Sequence, residues 1–374
     1  MEFPRDLTRI RSWTNLVRLD GRSGGFGAHD RPPSRPELSS KNWLLPATCS
    51  QDAEIMTSNL NDWPSLEDVE AARRRIESHI HLTPAVTSAT FDDLSGGRLH
   101  FKCENFQKIG AFKIRGALNA VLQLPEALLE RGVVTHSSGN HAQAVALAAR
   151  MRGTIAHIVM PADAKAAKAR AVEGYGGRII PSGPNVESRE ETAEQVRLET
   201  GAHLIHPYND PHIIAGQGTV ALELLDQVEG LDLVLVPVGG GGLASGVSIA
   251  TKTRSPGIRI IGVEPEGADD ARQSFEQGVR VPAPNPSTVA DGLRSPLGEM
   301  TWSILHHYLD GIVTVSDESI VNAMRLFWER TKIIIEPSAA VGLAAVLAGK
   351  VDISGKRVGV ILTGGNVDLG DLPW

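Results

Sequence analysis

The chain has 374 residues, 44 of them acidic and 37 basic, and a formal net charge of −7. This charge gives no reason to expect nucleic acid or an anionic membrane as a partner, and no apolar run approaches the ~20 residues that span a bilayer. Two cysteines, Cys49 and Cys103, exclude a disulfide framework and a cysteine-built zinc site and are typical of a reducing compartment, so we expect a cytoplasmic protein.

The first 57 residues lack the periodicity of the rest of the chain. They contain clusters of Pro, Ser, Arg and Gly, over residues 21–27 and 31–40, and no sustained apolar pattern. Their acidic residues argue against a transit peptide, which is normally poor in acids, and a signal peptide would need an apolar core. We therefore predict a disordered leader over residues 1–57.

Regular structure is predicted from Asp62 onward. Ser65 with Asp68 predicts the start of a helix that runs to about Ile80. The predicted strands are 98–103, 133–135, 155–160, 178–180, 204–205, 233–238, 258–263 and 358–362. The predicted helices that follow the first are 140–151, 164–175, 187–199, 218–228, 243–253, 316–332 and 339–348. This alternation predicts the α/β class, with a parallel sheet covered by helices on both faces.

Lys113 lies in the stretch NFQKIGAFKIRGALN (residues 105–119), between an apolar turn and a further helical pattern. Apolar surroundings disfavour the ammonium form of a lysine and lower its pKa. A neutral amine can attack an aldehyde, which is how a lysine carries pyridoxal phosphate (PLP) as a Schiff base. A lysine that only extends its amine from a helix end to solvent has the same local pattern, so both interpretations stand at this point.

The segment HSSGNH (His136–His141) joins a predicted strand to an alanine-rich helix. Ser137, Ser138 and Gly139 would leave backbone N–H groups at the helix N-terminus, which suits a carboxylate or a phosphate. The same residue types are common in any strand-to-helix turn, which is the alternative interpretation.

Four consecutive glycines, Gly239–Gly242, follow the most apolar predicted strand. Glycine is costly in chain entropy and is used where backbone must approach a ligand closely, so the run predicts a phosphate cradle. No Gly-Lys-Ser/Thr follows, which excludes a P-loop. The glycines with Ala244 also fit the loose dinucleotide pattern, and Glu264 has the position of a ribose-binding acid. A nicotinamide-dependent enzyme is therefore a rival hypothesis.

Two further segments carry candidate ligands. EPEGADD (Glu264–Asp270) places acids on one loop, where carboxylate and carbonyl oxygens can hold a hard divalent cation, although a solvated acidic turn has the same composition. LTGGN (Leu362–Asn366) ends the last predicted strand. Open parallel sheets bind ligands at this edge, and Thr363 offers a hydroxyl there.

Together these segments resemble the fold-type II PLP enzymes, specifically the serine racemase and serine/threonine dehydratase (ammonia-lyase) family. The resemblance extends from about Leu66 to Asp368 and follows the family's motif order. It rests on FQKIGAFKIRGALNA, SSGNHAQA, IAGQGT, PVGGGGLASG, EPEGADD, VADG, IEPSAA and LTGGNVD. A nicotinamide-dependent family would not supply the lysine, SSGNH and TGGN segments together.

The resemblance implies a two-domain α/β fold similar to the tryptophan synthase β chain. The large PLP-binding domain would comprise residues 58–122 and 211–374, and a small mobile domain residues 123–210. The family is usually dimeric, which implies a homodimer.

The family's residue roles carry over to the matching positions. Lys113 would hold pyridoxal 5'-phosphate covalently and take the α-proton of the substrate on one face, and Ser138 would act as acid or base on the other face. Phe112 would pack against the cofactor ring. Asn140 would donate to its 3-oxygen, and Thr363 would face its nitrogen.

The resemblance also implies three sets of ligand-binding residues. The phosphate would be held by Gly239, Gly240, Gly241, Gly242 and the Leu243 amide. The substrate carboxylate would be bound by Ser137, Ser138, Asn140 and His141. A divalent cation, Mg²⁺ or else Ca²⁺ or Mn²⁺, would be bound by Glu264, the Ala268 carbonyl and Asp270.

The implied activity is that of an ammonia-lyase (EC 4.3.1 type). It would convert L-serine, L-threonine or 3-hydroxyaspartate to a 2-oxo acid and ammonia by α-proton abstraction and β-elimination. Because reprotonation by Ser138 would instead give the D-amino acid, serine racemase (EC 5.1.1 type) is the alternative, and both activities are expected in one protein. Tyr208 stands where animal racemases carry asparagine and resembles fungal and bacterial dehydratases, which favours the lyase.

Regulation is expected to be simple. The nucleotide site of animal racemases is only partly matched, so activation by ATP stays open. Matching residues are Lys108, Gln143, Lys332 and Asn366, whereas Ile109 and Ala89 replace hydroxyl residues. The chain ends soon after TGGN, so we expect no regulatory domain and no isoleucine feedback. A non-catalytic descendant of the fold is a further alternative, against which Lys113 and Ser138 argue.

Overall fold

The structure is a computed structural model that describes residues 63–164, 166–282 and 285–374. The predicted leader over residues 1–57 lies outside the described residues. The strands are β1 (Ala85–Val86), β2 (Arg98–Cys103), β3 (Val133–His136), β4 (Ala156–Pro161), β5 (Arg178–Ser182), β6 (His203–Leu204), β7 (Leu233–Pro237), β8 (Arg259–Pro265), β9 (Gly311–Val315) and β10 (Arg357–Leu362).

The helices surround these strands. They are α1 (Leu66–Ile76), α2 (Ala89–Ser95), α3 (Lys113–Leu122), α4 (Glu126–Leu129), α5 (Asn140–Arg152), α6 (Ala166–Gly174), α7 (Val186–Thr200), α8 (Pro211–Gln227), α9 (Gly242–Arg254), α10 (Asp270–Gln277), α11 (Glu299–Tyr308), α12 (Asp317–Thr331) and α13 (Pro337–Leu347). Among the described residues, no helix is both long and apolar enough to cross a bilayer.

The strands form two sheets. The larger has six strands in the order β1-β2-β10-β7-β8-β9, and only the edge pair β1–β2 is antiparallel. The smaller has four parallel strands in the order β5-β4-β3-β6. The predicted α/β class with parallel pairing is confirmed. Strands β3 to β6 fall inside residues 123–210, but both sheets lie in one compact unit, so the division into two domains stays a prediction.

β7 shows how the larger sheet is covered on both faces. All five of its residues are buried. Leu233 and Leu235 belong to a core cluster with residues of α12 and α13, whereas Val234 and Val236 belong to another with residues of α8 and α9. Because successive side chains of a strand point to opposite faces, this split means that helices pack on both sides of the strand.

Two helices differ in extent from the sequence prediction. α1 ends at Ile76 rather than near Ile80, and its last turn is basic, which suits the negative end of the helix dipole. α8 begins at Pro211, well before the predicted Gly218. The Asp210 side chain caps it by accepting from Ile213 N at 2.9 Å. The glycines of its first turns lower helix propensity, so the sequence pattern did not predict that the helix starts at Pro211.

The elements absent from the sequence prediction are β1, β9, α2, α4, α10 and α11. All but α11 have eight residues or fewer. Such short elements carry too few residues to show a period, so the structure adds them without changing the fold class.

Four charged side chains are buried together where α3 and α8 meet β2: Lys102, Glu104, Arg115 and Glu223, which we call the buried charge cluster. The Arg115 guanidinium binds both oxygens of Glu104 (2.7 and 2.8 Å) and both oxygens of Glu223 (2.7 and 2.8 Å). Lys102 Nζ donates to Glu223 at 2.6 Å. Two cations and two anions balance, so no charge within this cluster is left unpaired.

Arg115→Met should lower the free energy of unfolding by about 3–5 kcal/mol, because it leaves two carboxylates buried against a single lysine. Urea denaturation followed by circular dichroism measures this. The matched control is Arg73→Met, which removes an exposed ion pair with Asp226 (2.6 Å) and should cost about 0–1 kcal/mol. Equal losses for the two variants would contradict the role given to the cluster.

Candidate active site

A cavity of about 680 Å³ opens at the carboxyl ends of strands from both sheets. The segments that follow β3, β7 and β10 all line it. In parallel sheets this edge is the usual place for ligands. Twelve of the predicted site residues line this one cavity: Phe112, Lys113, Ser137, Ser138, Asn140, His141, Gly239, Gly240, Gly241, Gly242, Leu243 and Thr363.

Lys113 is the first residue of α3, and its amine points into this cavity. Its Nζ donates to the Pro207 carbonyl at 2.7 Å and lies 5.3 Å from the centre of the Phe112 ring. Desolvation by the surrounding protein lowers the pKa of Lys113 to about 8. The amine is therefore far easier to deprotonate than an exposed lysine.

A strained turn aims α3 at the cavity. Ile109 (φ +62°) and Gly110 (φ +71°) are both left-handed, and for a β-branched residue such as Ile109 this conformation is unfavourable. Phe112 N then donates to the Thr363 carbonyl at 3.0 Å. The turn thus fastens the start of the lysine helix to the end of β10 and brings Lys113 beside Thr363.

The glycine run could not be built from other residues. A Cβ on Gly240 would lie 2.4 Å from the Tyr208 ring, and one on Gly239 would lie 2.9 Å from Leu293 Cα. Thr301 Oγ1 donates to the Gly240 carbonyl at 2.8 Å and fixes the loop. The run ends in the first turn of α9, whose N–H groups have no partners within the helix. This backbone cradle suits a phosphate.

Thr363 presents an unused hydrogen-bonding group. It is buried, and among the described residues its Oγ1 has no hydrogen-bond partner. Leaving a buried hydroxyl unpaired costs free energy. An aromatic nitrogen of a ligand would satisfy it, so this orphaned group and the glycine cradle both fit a phosphorylated pyridine cofactor.

His141 has a different chemical role from Ser137 and Ser138. Its Nε2 lies 3.2 Å from the Ile205 carbonyl, which can only accept, so Nε2 carries the proton. Burial lowers the pKa of His141 well below its usual value, which keeps the ring neutral. Nδ1 is then an acceptor and cannot donate to a carboxylate. The donors at this helix end are the two serine hydroxyls and the backbone N–H groups.

The loop after β6 holds the Lys113 amine. His206 Nδ1 accepts from Tyr208 N (3.2 Å) and Asn209 N (2.9 Å), which turns the chain around Pro207. Burial lowers the pKa of His206 to about 4, so the ring remains an acceptor at neutral pH. This turn presents the Pro207 carbonyl to Lys113 and sets the Tyr208 ring against Gly240.

Glu336 is a site residue that the sequence prediction missed. It is buried, lines the cavity and accepts from Asn140 Nδ2. Burial, followed by the nearby charge of Asp291, raises the pKa of Glu336 to about 7. The sequence does contain a signal for Glu336: it is an acidic residue within the largely apolar segment IEPSAA, and acidic residues are rarely buried without a partner.

The three predicted cation ligands lie outside the cavity. Glu264 accepts from the Ala271 and Arg272 backbone N–H groups (3.2 and 2.9 Å), and Asp270 accepts from Leu297 N (3.0 Å). Burial raises the pKa of Glu264 well above its usual value and that of Asp270 to about 6. In the described ranges no group of three or more His, Cys, Asp or Glu side chains is arranged to hold a metal. Two buried carboxylates and a carbonyl nonetheless suit a hard cation, which would offset the cost of burying both charges.

A sequence profile described as pyridoxal-phosphate dependent enzyme matches residues 76–364. The chain is 51% identical over 311 residues to a beta-hydroxyaspartate dehydratase from Paracoccus denitrificans, a match that covers 83% of this chain and 99% of that protein. It is 50% identical over 309 residues to a serine racemase from Arabidopsis thaliana, covering 81% of this chain and 93% of that protein.

A solved structure of maize serine racemase superposes with a TM-score of 0.81 and 48% sequence identity, covering 82% of this chain and 95% of that chain. The predicted fold, PLP fold type II, is therefore confirmed, as is the resemblance to the racemase and dehydratase family.

Proposed function

Because the chain belongs to the family of pyridoxal-phosphate dependent enzymes, we propose that it is an ammonia-lyase acting on an L-β-hydroxy amino acid. The products are a 2-oxo acid and ammonia. The observation that carries this proposal is the placement of the Lys113 amine, with its lowered pKa, in the same cavity as the glycine cradle. A relative at 51% identity is named a beta-hydroxyaspartate dehydratase, which supports a lyase.

Pyridoxal phosphate, when bound, supplies an electron-withdrawing ring that stabilises negative charge at the substrate α-carbon. Lys113 would hold it covalently, Gly239–Gly242 and the Leu243 amide would hold its phosphate, and Phe112 would pack on its ring. The Thr363 hydroxyl would pair with the ring nitrogen. A neutral hydroxyl, unlike a carboxylate, does not enforce protonation of that nitrogen, so it moderates the electron-withdrawing effect.

Two residues would move protons. Once the substrate amino group has replaced Lys113 on the cofactor, the freed Lys113 amine would take the α-proton and could pass it to the β-hydroxyl, which would leave as water. Ser138, in the turn before α5, can return a proton to the α-carbon from the other face, and that return gives the D-amino acid. Serine racemase activity is therefore the alternative outcome at the same site, and the serine racemases among the relatives support it.

For the substrate we propose 3-hydroxyaspartate ahead of L-serine and L-threonine. The hydroxyls of Ser137 and Ser138 and the N-terminus of α5 would receive the α-carboxylate. Arg189 also lines the cavity, and among the described residues its side chain donates only through Nε, to the Asn185 carbonyl at 3.3 Å. Its terminal nitrogens are suited to a second carboxylate.

Mg²⁺ at Glu264, the Ala268 carbonyl and Asp270 is a further part of the proposal. Asp270 accepts from Leu297 N, and Leu297 closes the loop that starts at Leu293, beside Gly239. A cation there would stabilise the loop that packs on the glycine cradle. We also propose a homodimer and a cytoplasmic location, the latter because a buried free thiol, Cys103, suits a reducing compartment.

Protein supplied with pyridoxal phosphate should become yellow and, after borohydride reduction, carry the mass of the cofactor on Lys113, because among the described lysines only this amine combines a lowered pKa with a place beside the cradle. Peptide mass spectrometry locates the label. Lys113→Ala should abolish it, and Lys350→Ala, at an exposed site, should not. A colourless protein, or a label on another lysine, would contradict the proposed function.

Ser138→Ala should reduce D-isomer formation by about 100-fold, the usual contribution of a general acid or base, and should reduce 2-oxo acid release from the L-substrate much less. Chiral chromatography and a coupled 2-oxo acid assay measure the two products from L-serine, L-threonine and L-threo-3-hydroxyaspartate. If both products fall equally, Ser138 is not the proton donor of the second face.

Mg²⁺ should raise the melting temperature of the protein and a chelator should lower it, because the cation binds only the folded state. Asp270→Asn should abolish this response. The matched control is Asp269→Asn, whose side chain bonds only to its own helix, to Arg272 and Gln273, and this variant should keep the response. A melting temperature that is indifferent to Mg²⁺ in the parent protein would remove the cation from the proposal.

A further inference from the structure

The side-chain amide of Asn140 is held from two sides. Its Nδ2 donates to both carboxylate oxygens of Glu336, at 3.1 and 3.2 Å. Its Oδ1 accepts from Asn366 Nδ2 at 2.8 Å. All three residues line the cavity, but they come from the start of α5, the residue before α13 and the segment after β10.

Asn366 and Glu336 are themselves fixed. Asn366 Nδ2 also donates to the Ile109 carbonyl at 2.7 Å, and Asn366 N donates to Glu336 Oε2 at 3.3 Å. Two glycines leave room for the side chains of Asn366 and Glu336. A Cβ on Gly110 would lie 2.7 Å from Asn366 Oδ1, and one on Gly364 would lie 2.7 Å from Glu336 Oε1.

This arrangement permits one orientation of the Asn140 amide. If the amide were reversed, its carbonyl would face the Glu336 carboxyl group and its NH₂ would face the NH₂ of Asn366, so both contacts would be lost. The two hydrogens of a planar amide diverge too widely to reach both oxygens of one carboxylate, so one N–H is shared between them. The second N–H has no partner within the described part of the chain and is left for a ligand.

We propose that Glu336 and Asn366 are positioning residues that fix the Asn140 amide with its free N–H toward the oxygen of the cofactor ring. This inference rests on the proposed function, because it concerns how the cofactor is received. Asn366 is the more informative partner to change. Asn366 contacts Asn140 only as a hydrogen-bond donor, so replacing its NH₂ removes the contact. Glu336, in contrast, can accept from Asn140 whether or not its carboxyl group is protonated.

The experiment compares Asn366→Asp with Asn366→Ala. Both remove the donor that holds Asn140 Oδ1. The isosteric Asp also places an acceptor against that oxygen, which favours the reversed amide. Position 366 is exposed, so the introduced carboxylate is ionised at about pH 8. If Asn366 only filled space, the isosteric Asp would replace it better than Ala. A space-filling role and a positioning role therefore predict opposite orders of cofactor affinity for the two variants.

The readouts are the apparent dissociation constant for pyridoxal phosphate, from equilibrium dialysis, and the absorbance spectrum of the bound cofactor. We expect Asn366→Asp to bind about fivefold more weakly than Asn366→Ala, the scale of one net hydrogen bond. Its absorbance should move toward shorter wavelength, because a carbonyl facing the ring oxygen favours the protonated oxygen. Asn185→Asp, at the exposed cap of α7, is the matched control and should behave as the parent protein.

The carboxylate of Asn366→Asp could weaken cofactor binding in two ways, by reversing the Asn140 amide or by repelling the Ile109 carbonyl. A double-mutant cycle separates these two effects. In an Asn140→Ala background the two Asn366 variants should bind the cofactor equally. A persisting difference, or an Asn366→Asp protein that binds as well as Asn366→Ala, would overturn the positioning role while Lys113 still carries the borohydride label. An unlabelled Lys113 in the parent protein would instead overturn the proposed function itself.

Discussion

The site depends on the buried charge cluster, because Arg115 lies two residues after Lys113 on the same helix. The Arg115 guanidinium is hydrogen-bonded to two carboxylates and cannot move without leaving buried charges unpaired. The free-energy cost of unpaired buried charges is large. The start of α3 is thereby held against β2 and α8. Gly116 and Gly216 allow the two helices to touch, since a Cβ on Gly216 would lie 2.6 Å from Gly116 Cα. The amine that defines the chemistry is thus carried by one of the most constrained turns in the molecule.

The other side of the cavity is built from the smaller sheet. Ser138 and Asn140 follow β3, and Pro207 follows β6, so all three belong to the smaller sheet. Polar contacts cross the cavity from this side: Pro207 with Lys113, Asn140 with Glu336 and Asn366, and Lys168 of α6 with Asp291, at 2.8 Å. Exposed ion pairs such as the last one contribute little stability. Away from the cavity α5 packs on α3 in one apolar core, to which Ile114, Leu118, Ala142 and Val145 belong. The lysine helix and the serine segment are therefore joined mainly by apolar packing, and the polar contacts orient the groups that face the cavity.

The sequence predicts the parts of this site that depend on local chain geometry. The glycine run, the serines of HSSGNH and Lys113 all follow strand ends, and parallel pairing brings those ends to one edge. It does not predict the partition into two sheets, because strand order is set by packing between distant segments. The tautomer of His141 depends on the carbonyl of Ile205, and the role of Glu336 on two asparagines far along the chain. Such contacts carry no local period, so only the folded chain shows them.

The same partition bears on the choice between elimination and racemisation. Under the proposed function, Lys113 handles the proton on one face from the first turn of α3, whereas Ser138 handles it on the other from the turn between β3 and α5. The position of Lys113 is therefore set by α3 and the buried charge cluster, whereas that of Ser138 is set by the smaller sheet. Loss of the β-hydroxyl needs only the first group, and D-isomer formation needs both at once. Any change that loosens the contacts of α5 and α6 with the larger sheet consequently favours the lyase outcome over the racemase outcome.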